Sequence, residues 1–331
     1  MSGTHSVLAH VQEADNAPVN TTFLNDVLRG LSQPQKSLSS KYFYDEAGDH
    51  LFQRIMRCDD YYLTRCEMEV FREKANELVS ELNIDGAGFD LVELGAGDGI
   101  RTRHLLRYLS EANADFRYLP VDISGHILDV LCAGIQQNIS GIDIHPFEGD
   151  YFAAFGEIDR FSQRRKVVLF LGSNIGNMPV EDCHTFCLRL GEHMHPGDLL
   201  ITGFDLKKDP RTILKAYDDS DGLTREFNLN LLRRINGELG ADFRLENFEH
   251  YQTYNPVSGA CQSYLISQTN QAVSIAGRSI SFEKHEPVFM EVSRKFSLTE
   301  VDDLAVTTGF SPVKHCLDSK GWFVNAVWMK N

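Results

Sequence analysis

From Phe89 onward the chain alternates two textures, and that alternation restricts its fold more than any other feature. Short, apolar, β-branched runs occur at Phe89–Leu94, Tyr118–Ile123, Ile142–Pro146, Val167–Gly172 and Leu199–Phe204. Helical patterns lie between several of them, at Thr102–Ala112, Ile127–Ile139 and Glu181–His193. A strand that is apolar throughout is buried on both faces, and a strand–helix–strand alternation builds a parallel sheet. The fold class read from this is α/β, a parallel sheet with helices on both faces. After Leu206 the pattern changes. Asp209–Ala216 and Thr224–Leu239 read as helices. Then Leu245–Tyr254, Ala260–Ser267, Ser279–Phe282 and Phe289–Phe296 alternate apolar with polar residues, as an antiparallel sheet with one wet face does. A short helix (Thr299–Thr308) and a strand (Trp322–Met329) close the chain. No flexible linker separates the regions, which predicts tight packing and a ligand cleft between them.

Ahead of Phe89, residues 1–18 read as a loose terminus and Thr22–Leu31 as a helix with Leu24, Val27, Leu28 and Leu31 on one face. An aromatic-rich stretch follows and turns helical over Thr64–Leu82, where Thr64 and Glu67 have the spacing of a capping box.

The chain has 331 residues, enough for two cores, and 47 acidic against 32 basic residues give a net charge of −15. That balance argues against a nucleic-acid partner, which would need a basic face. No apolar run approaches the roughly 20 residues that cross a bilayer, and the N-terminus lacks the apolar core of a leader. A soluble, cytoplasmic monomer with no membrane or nucleic-acid partner is expected. The seven cysteines are odd in number and scattered, as reduced thiols are. Cys183, His184 and Cys187, with His193 and His195 nearby, have the spacing of helix-face residues, and no metal is expected.

The sharpest local signal is LVELGAGDGIRTRHLL, Leu91–Leu106. A buried strand ends at Leu94, Gly95, Gly97 and Gly99 follow, and a helix begins near Arg101. Such glycines let a backbone turn sharply and approach a ligand. Asp122 ends the next strand, 27 residues beyond Gly95, where a carboxylate can grip ribose hydroxyls. On these residues alone two cofactors fit, a dinucleotide or S-adenosylmethionine (SAM). Asp98 inside the loop would repel a pyrophosphate and suits a cationic ligand. Asp150 and Tyr151, after the third strand region, suit an adenine, the acid for its amine and a ring for stacking. A second constellation, LFLGSNIGNMP, places Asn174 and Asn177 after the fourth strand, at the crevice where parallel sheets bind ligands. An asparagine can hold an amine and a carboxylate together.

Several long segments carry a resemblance: KYFYDEAGDHLF, DDYYLTR, VELGAGDGIRTRHLL, PVDIS, GDYF, FLGSNIGN, FDLKKDPRTILKAYDDSDGLTREFNLNLL and MEVSRKF. Through them the chain, from about Lys36 to its end, resembles the SAM-dependent amino acid betaine-forming methyltransferases, which include the histidine Nα-methyltransferases of ergothioneine biosynthesis. The resemblance implies a Rossmann-like class I SAM-dependent methyltransferase domain (68–206 plus 310–331) with a smaller α+β substrate-binding domain (19–67 plus 207–309). It implies cofactor contacts at Gly95, Arg101, Asp122, Asp150 and Tyr151. It implies substrate contacts at Tyr44, Tyr61, Asn177, Tyr217, Glu291 and Ser293, with Asn177 and Tyr217 on the carboxylate and amine and Glu291 and Ser293 on the imidazole. The implied reaction trimethylates the α-amino group of L-histidine to hercynine, with another free amino acid or small amine as the alternative. Tyr61 and Asn177 would orient the amine, since a phenol with a pKa near 10 is a poor base at neutral pH. Two positions depart from the pattern. Leu63 follows the paired tyrosines where the family has proline. Ser263 stands where close relatives carry a methionine against the imidazole.

Overall fold

The computed structural model describes residues 20–82 and 88–331. The loose terminus expected over 1–18 lies outside them. The strands are β1 (Phe89–Leu94), β2 (Phe116–Asp122), β3 (Asp143–Ile144), β4 (Phe147–Glu148), β5 (Arg165–Phe170), β6 (Leu199–Asp205), β7 (Phe248–Tyr254), β8 (Ala260–Ser267), β9 (Gln271–Ile275), β10 (Arg278–Phe282), β11 (Pro287–Arg294), β12 (Phe310–Leu317) and β13 (Phe323–Lys330). The main sheet runs β12-β13-β6-β5-β1-β2-β3, with β4 also on β2. Strands β1 to β6 pair in parallel, and β13 enters antiparallel beside β6. The chain builds outward from β1 to β3, then returns to lay β5 on the other side of β1. That reversal opens a crevice beyond the carboxyl ends of β1 and β5, where such sheets bind ligands.

Successive residues of β1, β2 and β5 feed opposite cores. Leu91, Tyr118 and Val167 pack on one face, and Val92, Leu119 and Val168 on the other. A third core joins Phe23, Tyr61, Ile213, Phe227 and Leu265. Above it stands an antiparallel sheet in the order β11-β8-β7, with a separate β9–β10 hairpin. We propose dividing the chain into a cofactor unit (68–206 plus 310–331) and a substrate unit (19–67 plus 207–309), supported by which side chains share a core. The helix Leu298–Thr307 buries Val301 and Ala305 beside Val92 and Trp328, so it rides on the cofactor unit before the chain re-enters that unit's sheet. Backbone and side chains stitch the units together: Phe296 N donates to Asp205 O (2.9 Å), Lys207 N continues the bridge to Phe296 O (2.8 Å), and Lys295, Lys208 and Tyr62 reach the Asp205 carboxylate.

Three local expectations are corrected. The helix read over Thr64–Leu82 is two, Leu63–Glu73 and Ala75–Glu81, broken at Lys74. Its capping box is absent: Tyr62 is the N-cap without a side-chain bond, and Glu67 points into the interior instead. The third run shrinks to two-residue ladders at β3 and β4. Three elements went unread, β9 among them. The helix Glu46–Arg57 starts on an Asp45 cap (Gly48 N to Oδ1, 2.7 Å) and was masked by its aromatic surroundings. Strand β12 was hidden because Pro312 and Lys314 spoil its alternation, which an edge strand tolerates. Among the described residues no helix is long and apolar enough to cross a membrane.

Candidate active site

The loop after β1 turns on Gly95 (φ 70°), Gly97 (φ 54°) and Gly99 (φ 63°), a left-handed run that glycine tolerates best. It is strapped to β2: Gly95 N and Ala96 N donate to Val121 O at 2.9 and 3.1 Å. Asp122 receives Gly97 N on one oxygen and Ser124 N on the other, both at 3.1 Å. This carboxylate therefore shapes the loop as well as facing the crevice. The hollow above is lined by Glu93, Gly95, Asp98, Arg101, Thr102 and Asn174. Carboxylates and one guanidinium side by side suit a ligand end bearing both an ammonium and a carboxylate, as methionine does. No atom lies within 4 Å of where a Gly97 Cβ would stand, so the loop leaves room on that side. The residues present fit SAM.

Arg101 is held from behind. Glu67, buried under it, is ion-paired with Arg101 (Nε to Oε2, 2.7 Å) and accepts Gly172 N at 2.9 Å. Burial pushes the Glu67 carboxyl up, against the pull of Arg101 and the Gly172 amide. Glu93, at the end of β1, bonds Thr102 and Tyr118, and burial raises its pKa to about 7. Asp150 caps the helix Tyr151–Phe161 with one oxygen, from Phe152 N (3.0 Å) and Ala153 N (3.2 Å), and is exposed, leaving its other oxygen toward solvent. Tyr151 lies edge-on to Phe170 and Phe186, with its hydroxyl 3.0 Å from where a Gly95 Cβ would stand.

Across the crevice, β11 presents Glu291 and Ser293 on one face, with Lys295 next in the same alternation. A register shift between Phe289 and Glu291 sets this face, as bulges do beside sites. Glu291 pairs across the sheet with Ser263, whose hydroxyl donates to Gln252 Oε1 at 2.5 Å. Burial raises the Glu291 pKa to about 7, with Lys295 and Ser263 pulling it back. Tyr217, the last residue of the helix Pro210–Tyr217, sets its hydroxyl 2.8 Å from Ser293 Oγ. Tyr61 packs edge-on against Tyr217 (6.0 Å between centroids) and lies within electrostatic reach of both Arg101 and Lys295. Tyr44, 47 % exposed over Phe52 and Phe227, reaches toward Glu291, Tyr61 and Tyr151. Two tyrosines thus span the cofactor and substrate sides. Burial pushes the Tyr61 and Tyr217 hydroxyls well above their ordinary pKa, so both keep their protons at neutral pH.

Asn177 is exposed at the end of the 3-10 turn Asn174–Asn177, which docks on β11. The docking depends on Gly176: a Cβ there would stand 2.7 Å from Arg294 O, a backbone atom with no room to yield. Gly176→Ala is expected to lift the turn from β11 and cost about 1–3 kcal/mol. Amino acid KM should rise while cofactor affinity, read by calorimetry, stays near wild type. Unchanged KM would show that Asn177 takes no part in substrate binding.

The sequence did not reveal what lies behind Tyr217. Asp205, at the end of β6, is unexposed and takes Lys295 Nζ (2.9 Å), Tyr62 OH (2.7 Å) and Lys208 Nζ. Lys295 also donates to Tyr217 OH (2.6 Å) and Ser293 Oγ (2.9 Å). An acid closing a buried strand was the available signal. Cys183 and Cys187 are buried within one helix, and the described residues contain no group of three His, Cys, Asp or Glu able to hold a metal.

Residues 23–330 match the family described as "Histidine-specific methyltransferase, SAM-dependent". The chain is 35% identical over 300 residues to the "Histidine N-alpha-methyltransferase" of Mycobacterium tuberculosis, covering 90% of this chain and 92% of that protein. It is 36% identical over 291 residues to the protein of the same name in Mycolicibacterium smegmatis, covering 87% and 88%. "Ergothioneine biosynthesis protein 1" of Neurospora crassa is 28% identical over 284 residues, covering 84% of this chain and 31% of that longer protein.

Proposed function

The chain belongs to the family of SAM-dependent, histidine-specific methyltransferases, and we propose that it carries the α-amino nitrogen of L-histidine through three methylations to the betaine hercynine, within ergothioneine biosynthesis. It is an enzyme, its methyl donor is SAM, and its acceptor is histidine. The observation that carries the site assignment is the meeting of Glu291, Ser293, Tyr217 and Tyr61 in one crevice opposite the glycine loop. We place it in the cytoplasm, as a monomer with no macromolecular partner.

Bound SAM supplies a methyl group on a positively charged sulfur. The loop Gly95–Gly99, Asp122, Arg101 and Tyr151 would hold it, with Asp150 at the adenine end. The protein's work is then chiefly placement, and aligned reactants gain up to roughly 7–11 kcal/mol from it. Tyr217 and Asn177 take the carboxylate and amine, and Glu291 and Ser293 the imidazole. Tyr61 and Tyr44 stand between the halves and aim the nitrogen. Tyr61 keeps its proton, so it orients the amine and does not deprotonate it. Its ring face, with that of Tyr44, tolerates the quaternary cation that accumulates.

Mass spectrometry of the purified protein with SAM and each free amino acid tests this. A gain of three methyl groups on histidine is expected, and no gain on histidine overturns it. Asp122→Ala is expected to weaken SAM binding by about 1.5–3 kcal/mol, since it removes charge-assisted ribose contacts and frees Gly97 N and Ser124 N. Calorimetry with SAM reads this directly, and an unchanged Kd would remove Asp122 from the cofactor site.

A further inference from the structure

The lysine behind Tyr217 has its hydrogen bonds fully assigned. An ammonium has three N–H donors and no acceptor. Those of Lys295 go to Tyr217 OH (2.6 Å), Ser293 Oγ (2.9 Å) and Asp205 Oδ2 (2.9 Å), and its side chain is 0% exposed. Both hydroxyl oxygens therefore accept from Lys295. They also lie 2.8 Å apart, so one donates to the other. Two hydroxyls hold two protons, and one is used between them. One O–H is left to point into the crevice, and the lysine keeps it a donor. Charge points the same way. Lys208 and Lys295 share the single carboxylate of Asp205, and Lys208 is itself nearly unexposed. Two buried cations against one anion leave a positive excess directly behind the pair. Tyr62, the remaining polar group on Asp205, is neutral, and Glu291, on the same strand face, lies within electrostatic reach of Lys295.

Resting on the histidine reading above, we propose that Lys295 is a positioning residue that fixes the Tyr217–Ser293 pair as a hydrogen-bond donor and makes the pocket select an acceptor amino acid with a free carboxylate. The substrate anion supplies the charge that the buried cluster lacks. A neutral carboxamide at the same place forfeits that attraction while keeping the amine and imidazole.

The test compares kcat/KM for L-histidine and L-histidinamide. The wild type is expected to prefer histidine at least about tenfold, the scale of one charge-assisted hydrogen bond. Lys295→Met should cut that preference by roughly tenfold or more, mostly through KM for histidine, with S-adenosylhomocysteine affinity retained as the sign of a folded protein. Should the methionine variant fail to fold, Lys295→Gln, polar and uncharged, takes its place in the same comparison. A wild-type preference near one overturns the proposal without any variant. So does an equal loss on both substrates in a folded variant, which would make Lys295 merely structural. A wild type that leaves histidine unmethylated overturns the functional reading instead, and this inference with it.

Discussion

Asp205→Ala is expected to destabilise the protein by about 3–5 kcal/mol, the cost of leaving buried charge without its partner. The direction follows from what Asp205 does. It is unexposed, and it alone stands between the ammonium groups of Lys208 and Lys295 while accepting from Tyr62. Burial drives its pKa up, but the two lysines outweigh burial and hold it below the ordinary carboxylate value. A folded pKa below the unfolded one contributes stability that is present above the unfolded value, near 3.9, and is lost as pH falls through the folded one. The gap between wild type and variant should therefore be full at pH 7 and narrow towards pH 3. The location raises the stakes. Asp205 ends β6 where its carbonyl receives Phe296 N, a backbone bridge between the two units. A drop of roughly 5–10 °C in Tm is expected, with urea denaturation at the two pH values giving the free energies. Exchanging the cluster whole, Asp205→Ala with Lys208→Met and Lys295→Met, should recover most of the loss, because apolar replacement of a complete buried ion group is often neutral. A loss below about 1 kcal/mol for the single variant would mean that the lysines find water or another anion, contrary to the burial seen.

How legible this site was depends on the distance over which each residue's environment is set. The strands β1, β2, β5 and β6 follow from composition alone, since burial on both faces forces a continuous apolar run. The glycine loop and Asp122 are local too, a strand end and the turn after it. Asp205, Lys208 and Lys295 are the opposite case. Nothing local in FDLKKD or SRKF marks their charges as buried. They become a buried cluster only when the chain leaving β11 returns to β6 and bridges it at Phe296. Glu67 shows the same failure in reverse. Its spacing from Thr64 satisfies a local rule, but the fold uses the carboxylate to hold Arg101 and Gly172 N. Ser263 is a subtler case. From sequence it reads as a lost apolar contact to the substrate. In the fold it is unexposed, bonded to Gln252 and opposite Glu291, so it belongs to the support of that carboxylate.

That support bears on Glu291→Ala, expected to lower kcat/KM for histidine by roughly 10–150-fold while leaving SAM affinity within about twofold. A carboxylate that receives an imidazole N–H in a half-buried crevice is worth one charge-assisted hydrogen bond. The titration adds a sharper readout. Glu291 has its pKa raised to about 7, first by burial, so at pH 6 it is mostly protonated and at pH 8 mostly ionised. The ionised form accepts the N–H of a neutral imidazole more strongly than the protonated carboxyl does. Glu291→Gln keeps the shape and removes the ionisation. Dividing the wild-type pH profile of kcat/KM by that of the glutamine variant cancels the titration of histidine itself, which both share. The quotient should rise through pH 7 and level off above it. Stability carries the complementary sign. A carboxyl raised in the folded state holds its proton where the unfolded chain, near 4.3, has released it, so wild-type stability falls as pH rises from about 4.3 to about 7. Glu93 titrates in the same window, so the glutamine variant should flatten that slope without abolishing it. A quotient that stays level across pH 6–8 would remove Glu291 from imidazole recognition and leave the choice of amino acid to the hydroxyl pair and the lysine behind it.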